Sequence, residues 1–140
     1  MRNTASTATR LPLLLARGST ALLALLAVTQ AVLAGDFLGG QYDALMWHAI
    51  GARAITISSA AQIAILAWVW RAGGPRAPFF ASVVQTLLLV AEFATGELHS
   101  AAVHVPLGVL LVAGIVQLTA MVWRTPLPAR APIDDVAVAS

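Results

Sequence analysis

The uncharged stretch SAAVHVPLGVLLVAGIVQLTAMVW, residues 100–123, decides the fold class of this chain. At a rise of about 1.5 Å per residue, a helix of this length is long enough to cross the hydrocarbon core of a bilayer. The stretch contains His104, a polar side chain that costs free energy inside a membrane unless it has a partner or a role. The segment from His104 to Gly108 is therefore the first candidate for a functional site.

Three further apolar runs precede it, at about residues 18–35, 44–70 and 79–96. Because helices joined by short turns run antiparallel, the four runs predict an all-α, integral membrane up-down four-helix bundle over residues 18–123. Residues 1–17 are predicted to be a cytoplasmic N-terminal segment. Residues 124–140, with three prolines and two aspartates, are predicted to be a disordered cytoplasmic tail.

The composition supports a membrane protein and excludes several classes of site. The chain is 59% hydrophobic and 10% charged, whereas soluble domains carry about 25% charged residues. The absence of cysteine excludes disulfides, thiolate metal sites and cysteine catalysis. The basic residues are eight Arg and no Lys. They are scattered singly rather than clustered, which argues against nucleic acid as a partner.

The arginines instead indicate the orientation in the membrane. All of them except Arg53 fall on one side of the predicted spans, namely Arg2, Arg10, Arg17, Arg71, Arg76, Arg124 and Arg130. The opposite loops contain Asp36, Asp43 and Glu97 and no Arg. By the positive-inside rule, this predicts a multi-pass plasma-membrane protein with both termini in the cytoplasm.

An alternative for the first run is a secretory signal peptide. Arg17, the Leu-rich run and Val32-Leu-Ala34 would fit cleavage after Ala34. Cleavage would leave three spans and an N-terminus outside the cell. The apolar run is longer than the usual 7–15 residues of a signal peptide, which favours a retained span.

His48 and His104 form the candidate site. They enter the membrane at similar depth from the same side, in spans two and four, which occupy diagonal corners of an up-down bundle. Two imidazoles from opposite corners fit the two axial positions of a haem iron, here a haem b. Gly108 shares the face of His104 and would let a flat ring approach the helix. His99, about 140° round the helix from His104, is a competing ligand.

Arg53 is the most costly residue inside the predicted spans and needs an anion. Two partners are open: Glu92 at comparable depth in span three, or the propionates of a bound haem. The glutamines, one in each span (Gln30, Gln62, Gln85 and Gln117), predict hydrogen bonds between helices. The sequence contains no nucleophile–base arrangement, no phosphate-binding loop and no metal cluster of carboxylates.

This pattern resembles one four-helix half of a haem A synthase and, more widely, four-helix membrane cytochromes b. The closer likeness is to small actinobacterial-type four-span proteins, for which the resemblance implies no activity. The matching features are Gly35 closing the first span, His48 with Arg53 in the second, Gln85 in the third, and His104 with Gly108 in the fourth. The resemblance implies that His48 and His104 are axial haem ligands. Leu45 and Ala49 stand where the synthase has a Glu and an Arg, and its cysteine pair and second half are missing. The resemblance therefore implies one bound haem b rather than haem A synthesis.

Three functions are open at this point. The first is a b-type haem protein in membrane electron transfer, with a redox partner and without stand-alone catalysis. The second is a cofactor-free structural or accessory subunit of a membrane complex, in which the histidines lie at the interface. The third is a small transporter using Arg53, Glu92 and His48 as a relay, which would need a homo-oligomer to provide room for alternating access.

Overall fold

The computed structural model describes residues 4–128, and the side-chain surroundings of residues 10–128. It contains four helices: α1 (Thr4–Leu38), α2 (Ala44–Arg71), α3 (Ala77–Glu97) and α4 (Ala101–Arg124). No strand occurs within the described range. The prediction of an all-α chain is confirmed.

The four helices form an up-down bundle. Each helix packs against its neighbours in sequence, and α1 also packs against α4, whereas the diagonal pairs α1–α3 and α2–α4 do not pack together in the described chain. One end of the bundle, called the outer end after the predicted orientation, carries the turns at residues 39–43 and 98–100. The other, the inner end, carries the turn at residues 72–76. The predicted diagonal placement of spans two and four is confirmed.

The interior has two apolar clusters with a polar layer between them. The inner cluster is Leu13, Ala16, Leu66, Val69, Leu118 and Val122. The outer cluster is Leu23, Ala27, Ile55, Leu89, Leu111 and Ile115. The buried polar residues of the layer are Thr20, Ser59, Gln62, Ser82 and Gln85. Two of the four glutamines thus face the interior of the bundle, whereas Gln117 is exposed.

The outward faces of the helices are apolar. Each helix exposes a large aliphatic side chain by about two thirds or more, namely Leu25 (65%), Ile57 (71%), Leu87 (65%) and Leu110 (66%). Each helix is also long and apolar enough to cross a membrane. Trp47 is exposed at the outer end and Trp68 and Trp123 at the inner end, positions at which tryptophan is enriched in membrane proteins. These are the length and surface of membrane spans, because soluble proteins rarely expose such large apolar areas.

Helix α1 is longer than its predicted span. It begins at Thr4 and continues through Pro12 to Leu38, so most of the predicted N-terminal segment (residues 1–17) is part of the same helix. Leu13 and Ala16 are buried in the inner cluster. This packing against the neighbouring helices explains why the helix continues beyond the uncharged run.

The first residues after α4 are held against α1. Arg17 donates hydrogen bonds from Nη2 to the carbonyl oxygens of Trp123 (3.1 Å) and Thr125 (2.8 Å), and Arg10 donates one to Pro128 O (3.3 Å). The prediction of a disordered tail from residue 124 therefore does not describe residues 124–128. The remainder of that tail, from residue 129 onward, lies outside the described residues.

Candidate functional site

The two predicted ligands meet in the outer half of the bundle. His48 is on α2 and His104 on α4, and their ring centroids are 6.2 Å apart with an angle of 73° between the ring planes. Both rings are half-buried. Because α2 and α4 occupy diagonal corners, the rings approach each other across the centre of the bundle. The structure therefore brings together the two histidines that were predicted to pair from their depth in the membrane and the direction of their spans.

Each imidazole is oriented by a backbone carbonyl of an adjacent helix. His48 Nδ1 lies 3.3 Å from Gln30 O on α1, and His104 Nδ1 lies 3.1 Å from Glu92 O on α3. A carbonyl oxygen only accepts hydrogen bonds, so a neutral ring that makes this bond carries its proton on Nδ1. Nε2 of each ring then keeps its lone pair, which is the arrangement found in histidines that ligate metals.

The side chain of Glu92 also contacts His104. Its Oε1 atom lies 3.1 Å from His104 Nδ1, and the side chain is 14% exposed. The hydroxyl of Thr95 is 3.4 Å from the same nitrogen. Glu92 Oε2 is buried and has no hydrogen-bond partner in the part of the chain that the structure describes. A carboxylate thus supports one of the two imidazoles, and a neutral carbonyl alone supports the other.

Arg53 is not part of this group. It lies on the exposed face of α2 and does not line the cavity beside the histidines. The reason is geometric, because five residues turn a helix by about 140°, so His48 and Arg53 point in different directions. Of the two partners left open for Arg53, Glu92 is not paired with it in the described structure, where Glu92 pairs with His104.

A cavity of about 350 Å³ lies beside the two rings, with mainly aliphatic side chains in its walls. The exposed lining residues are Ala31, Gly35 and Leu38 on α1 and Val105 and Val109 on α4, whereas none of those from α2 or α3 is exposed. The cavity therefore opens sideways between α1 and α4. In a bilayer, this opening faces the lipid.

Three glycines allow the close contacts of the site. A Cβ atom on Gly108 would lie 2.9 Å from Glu92 Oε1, and one on Gly96 would lie 3.1 Å from His104 Cε1. A Cβ on Gly51 would overlap the side chain of Gln30. Gly108 lines the cavity as predicted, but the space that it leaves in the described structure is taken by the Glu92 carboxylate.

His99 lies apart from the site. It is exposed and occupies the turn before α4 with a φ angle of 55°, and it does not line the cavity. Gln30, Thr95 and Gly96 are contact residues that sequence reasoning did not assign to the site. Gly96 and Thr95 could have been found from the short turn between α3 and α4, which places residues near 94 opposite His104.

The separation of the two rings can be compared with that of two imidazoles bound to one metal ion. A metal–nitrogen bond of about 2.0 Å on each side, with each ring centre about 1.1 Å behind its nitrogen, separates two axial imidazole centres by about 6 Å, and the observed separation is 6.2 Å. Within the described residues, no group of three His, Asp or Glu side chains could hold a bare metal ion. The cavity volume lies in the range of about 300–1,000 Å³ for ligand pockets.

The comparisons with known proteins leave the site to be interpreted from its geometry. No family model, no curated protein and no solved structure matches the chain.

Proposed function

We propose that this protein is a b-type haem protein of the plasma membrane, in which His48 and His104 are the axial ligands, and that it serves membrane electron transfer. The observation that supports the proposal most directly is the pair of imidazoles 6.2 Å apart on diagonal helices. The Nδ1 atom of each ring contacts a carbonyl oxygen, and both rings line the same apolar cavity. When bound, the haem supplies a one-electron redox centre.

The chain's own residues would hold and enclose that centre. Gln30 and Glu92 orient the two rings. The aliphatic side chains of the outer cluster would exclude water on the side of the site that faces the inner end. Among the described residues that line the cavity there is no Arg to pair with the carboxylates of a haem. The proposed orientation, with both termini in the cytoplasm, puts this site near the outer face of the membrane.

Absorption spectroscopy of the purified protein, expressed with haem supplied, tests the proposal. We expect a sharp α-band of six-coordinate haem b after reduction with dithionite. His48→Ala and His104→Ala should each abolish it, because a five-coordinate iron has a different spectrum. His99→Asn is the matched control, since Asn tolerates the positive φ angle of that position, and it should keep the band. A normal band in both cavity variants would refute the assignment.

A cofactor-free accessory subunit is the competing function, and one observation favours it. The Nδ1 atoms of His104 and His48 contact Glu92 and Gln30, and such contacts equally hold histidines that bind no metal. In that case, the wild-type protein is colourless even with haem supplied. The double variant His48→Ala/His104→Ala then accumulates in the membrane as the wild type does.

A further inference from the structure

The two histidines differ in the charge of the groups that contact their Nδ1 atoms. His48 Nδ1 contacts Gln30 O at 3.3 Å, whereas His104 Nδ1 contacts both the carbonyl and the carboxylate of Glu92 at 3.1 Å. Hydrogen bonds to an ionised acceptor are roughly twice as strong as neutral ones. We infer that Glu92 is a positioning residue that lowers the midpoint potential of a haem ligated by His104, an inference that rests on the proposed function.

Two glycines leave space for the Glu92–His104 pair. Gly108 on α4 faces the carboxylate, and Gly96 on α3 faces the imidazole. A methyl group at either position would lie closer to the pair than ordinary van der Waals contact, at 2.9 Å from Glu92 Oε1 or 3.1 Å from His104 Cε1. The pair therefore lies where two adjacent helices each lack a side chain, and its geometry depends on both glycines.

The direction of the effect follows from charge. A carboxylate that accepts a hydrogen bond from the non-ligating nitrogen makes the imidazole more basic. A more basic ligand and a nearby negative charge both stabilise the oxidised iron, which carries one more positive charge than the reduced iron. An amide in place of the carboxylate should raise the potential.

Redox titration of haem-loaded Glu92→Gln tests the inference. Glu97→Gln is the matched control, because it makes the same change on the same helix at an exposed position. We expect both variants to keep the six-coordinate spectrum. In Glu92→Gln, the preference for oxidised over reduced haem should fall about tenfold, which equals a positive shift of about 59 mV for one electron. Glu97→Gln should match the wild type. An unchanged potential in Glu92→Gln would overturn the inference.

A second variant covers the case in which Glu92→Gln does not take up haem. Gly108→Ala displaces the carboxylate and leaves Glu92 and His104 in the chain. A positive shift of its potential supports the inference, and a wild-type potential overturns it.

A measurement without haem separates this inference from the proposed function. The chain has three histidines, so the imidazole ¹⁵N resonances of the haem-free protein can be assigned by single substitutions. We expect Glu92→Gln to move the Nδ1 resonance of His104, and Glu97→Gln to leave it unchanged. A wild-type protein that binds no haem refutes the proposed function, while this shift still shows whether Glu92 holds His104. Coincident resonances in wild type and Glu92→Gln overturn the inference.

Discussion

Leu66→Ala tests whether the helices are held together by close packing inside a lipid environment. Leu66 is 1% exposed and lies in the inner cluster with Val69, Leu118 and Val122. In soluble proteins, a buried Leu→Ala substitution costs about 2–5 kcal/mol, part of which is the lost transfer of apolar surface from water. Lipid tails are as apolar as leucine, so this part is absent for a bundle in a bilayer.

The remaining cost of Leu66→Ala is that of the empty space left by the missing part of the leucine side chain. Leu→Ala removes about 80 Å³, and at about 24 cal/mol per Å³ an unrelaxed cavity costs about 2 kcal/mol. Ile57 on the same helix is 71% exposed. Lipid or detergent chains fill the space that Ile57→Ala leaves, so its expected cost is close to zero.

The assay is reversible unfolding of the purified protein in mixed micelles with increasing SDS, followed by circular dichroism. We expect Leu66→Ala to lower the free energy of unfolding by about 2 kcal/mol and Ile57→Ala to leave it unchanged. Equal losses at the two positions would refute the reasoning, because Ile57 would then pack against protein rather than lipid.

Two further predictions concern topology and the cavity. The chain lacks cysteine, so a membrane-impermeant maleimide should label Gln41→Cys in intact cells and Ala77→Cys only after permeabilisation; the reverse pattern would overturn the orientation. Ala52→Phe adds about 100 Å³ to the wall of a cavity of about 350 Å³ and leaves less than the usual ligand volume. It should weaken haem binding at least tenfold in a titration, whereas the exposed control Ala60→Phe should not; equal affinities would exclude this cavity as the site.

Much of the candidate site could be predicted by counting residues along helices. The depth of a residue in the membrane follows from the rise per residue, and the direction of its helix follows from the alternation of spans. His48 and His104 could therefore be placed at one end of the bundle on diagonal helices. The contacts of their Nδ1 atoms could not be predicted in the same way. They depend on the axial rotation and separation of neighbouring helices, which bring Gln30 O and Glu92 O within hydrogen-bond distance.

Arg53 shows where this counting fails. Its charge requires an anion in the membrane, and Glu92 was a candidate at similar depth. Depth alone does not decide which face of α2 turns inward. The packing of α2 against α1 and α3 leaves Arg53 on the exposed side and gives Glu92 to His104.

The sequence by itself determined the number of helices, their approximate spans and their alternating direction, because apolar run length and turn length set these locally. It also determined that two histidines would lie at one end of the bundle. Only the tertiary structure decided which polar groups meet there, since Gly96 and Gly108 fix how closely α3 and α4 approach. That approach pairs Glu92 with His104, and the packing of the four helices leaves a cavity beside them.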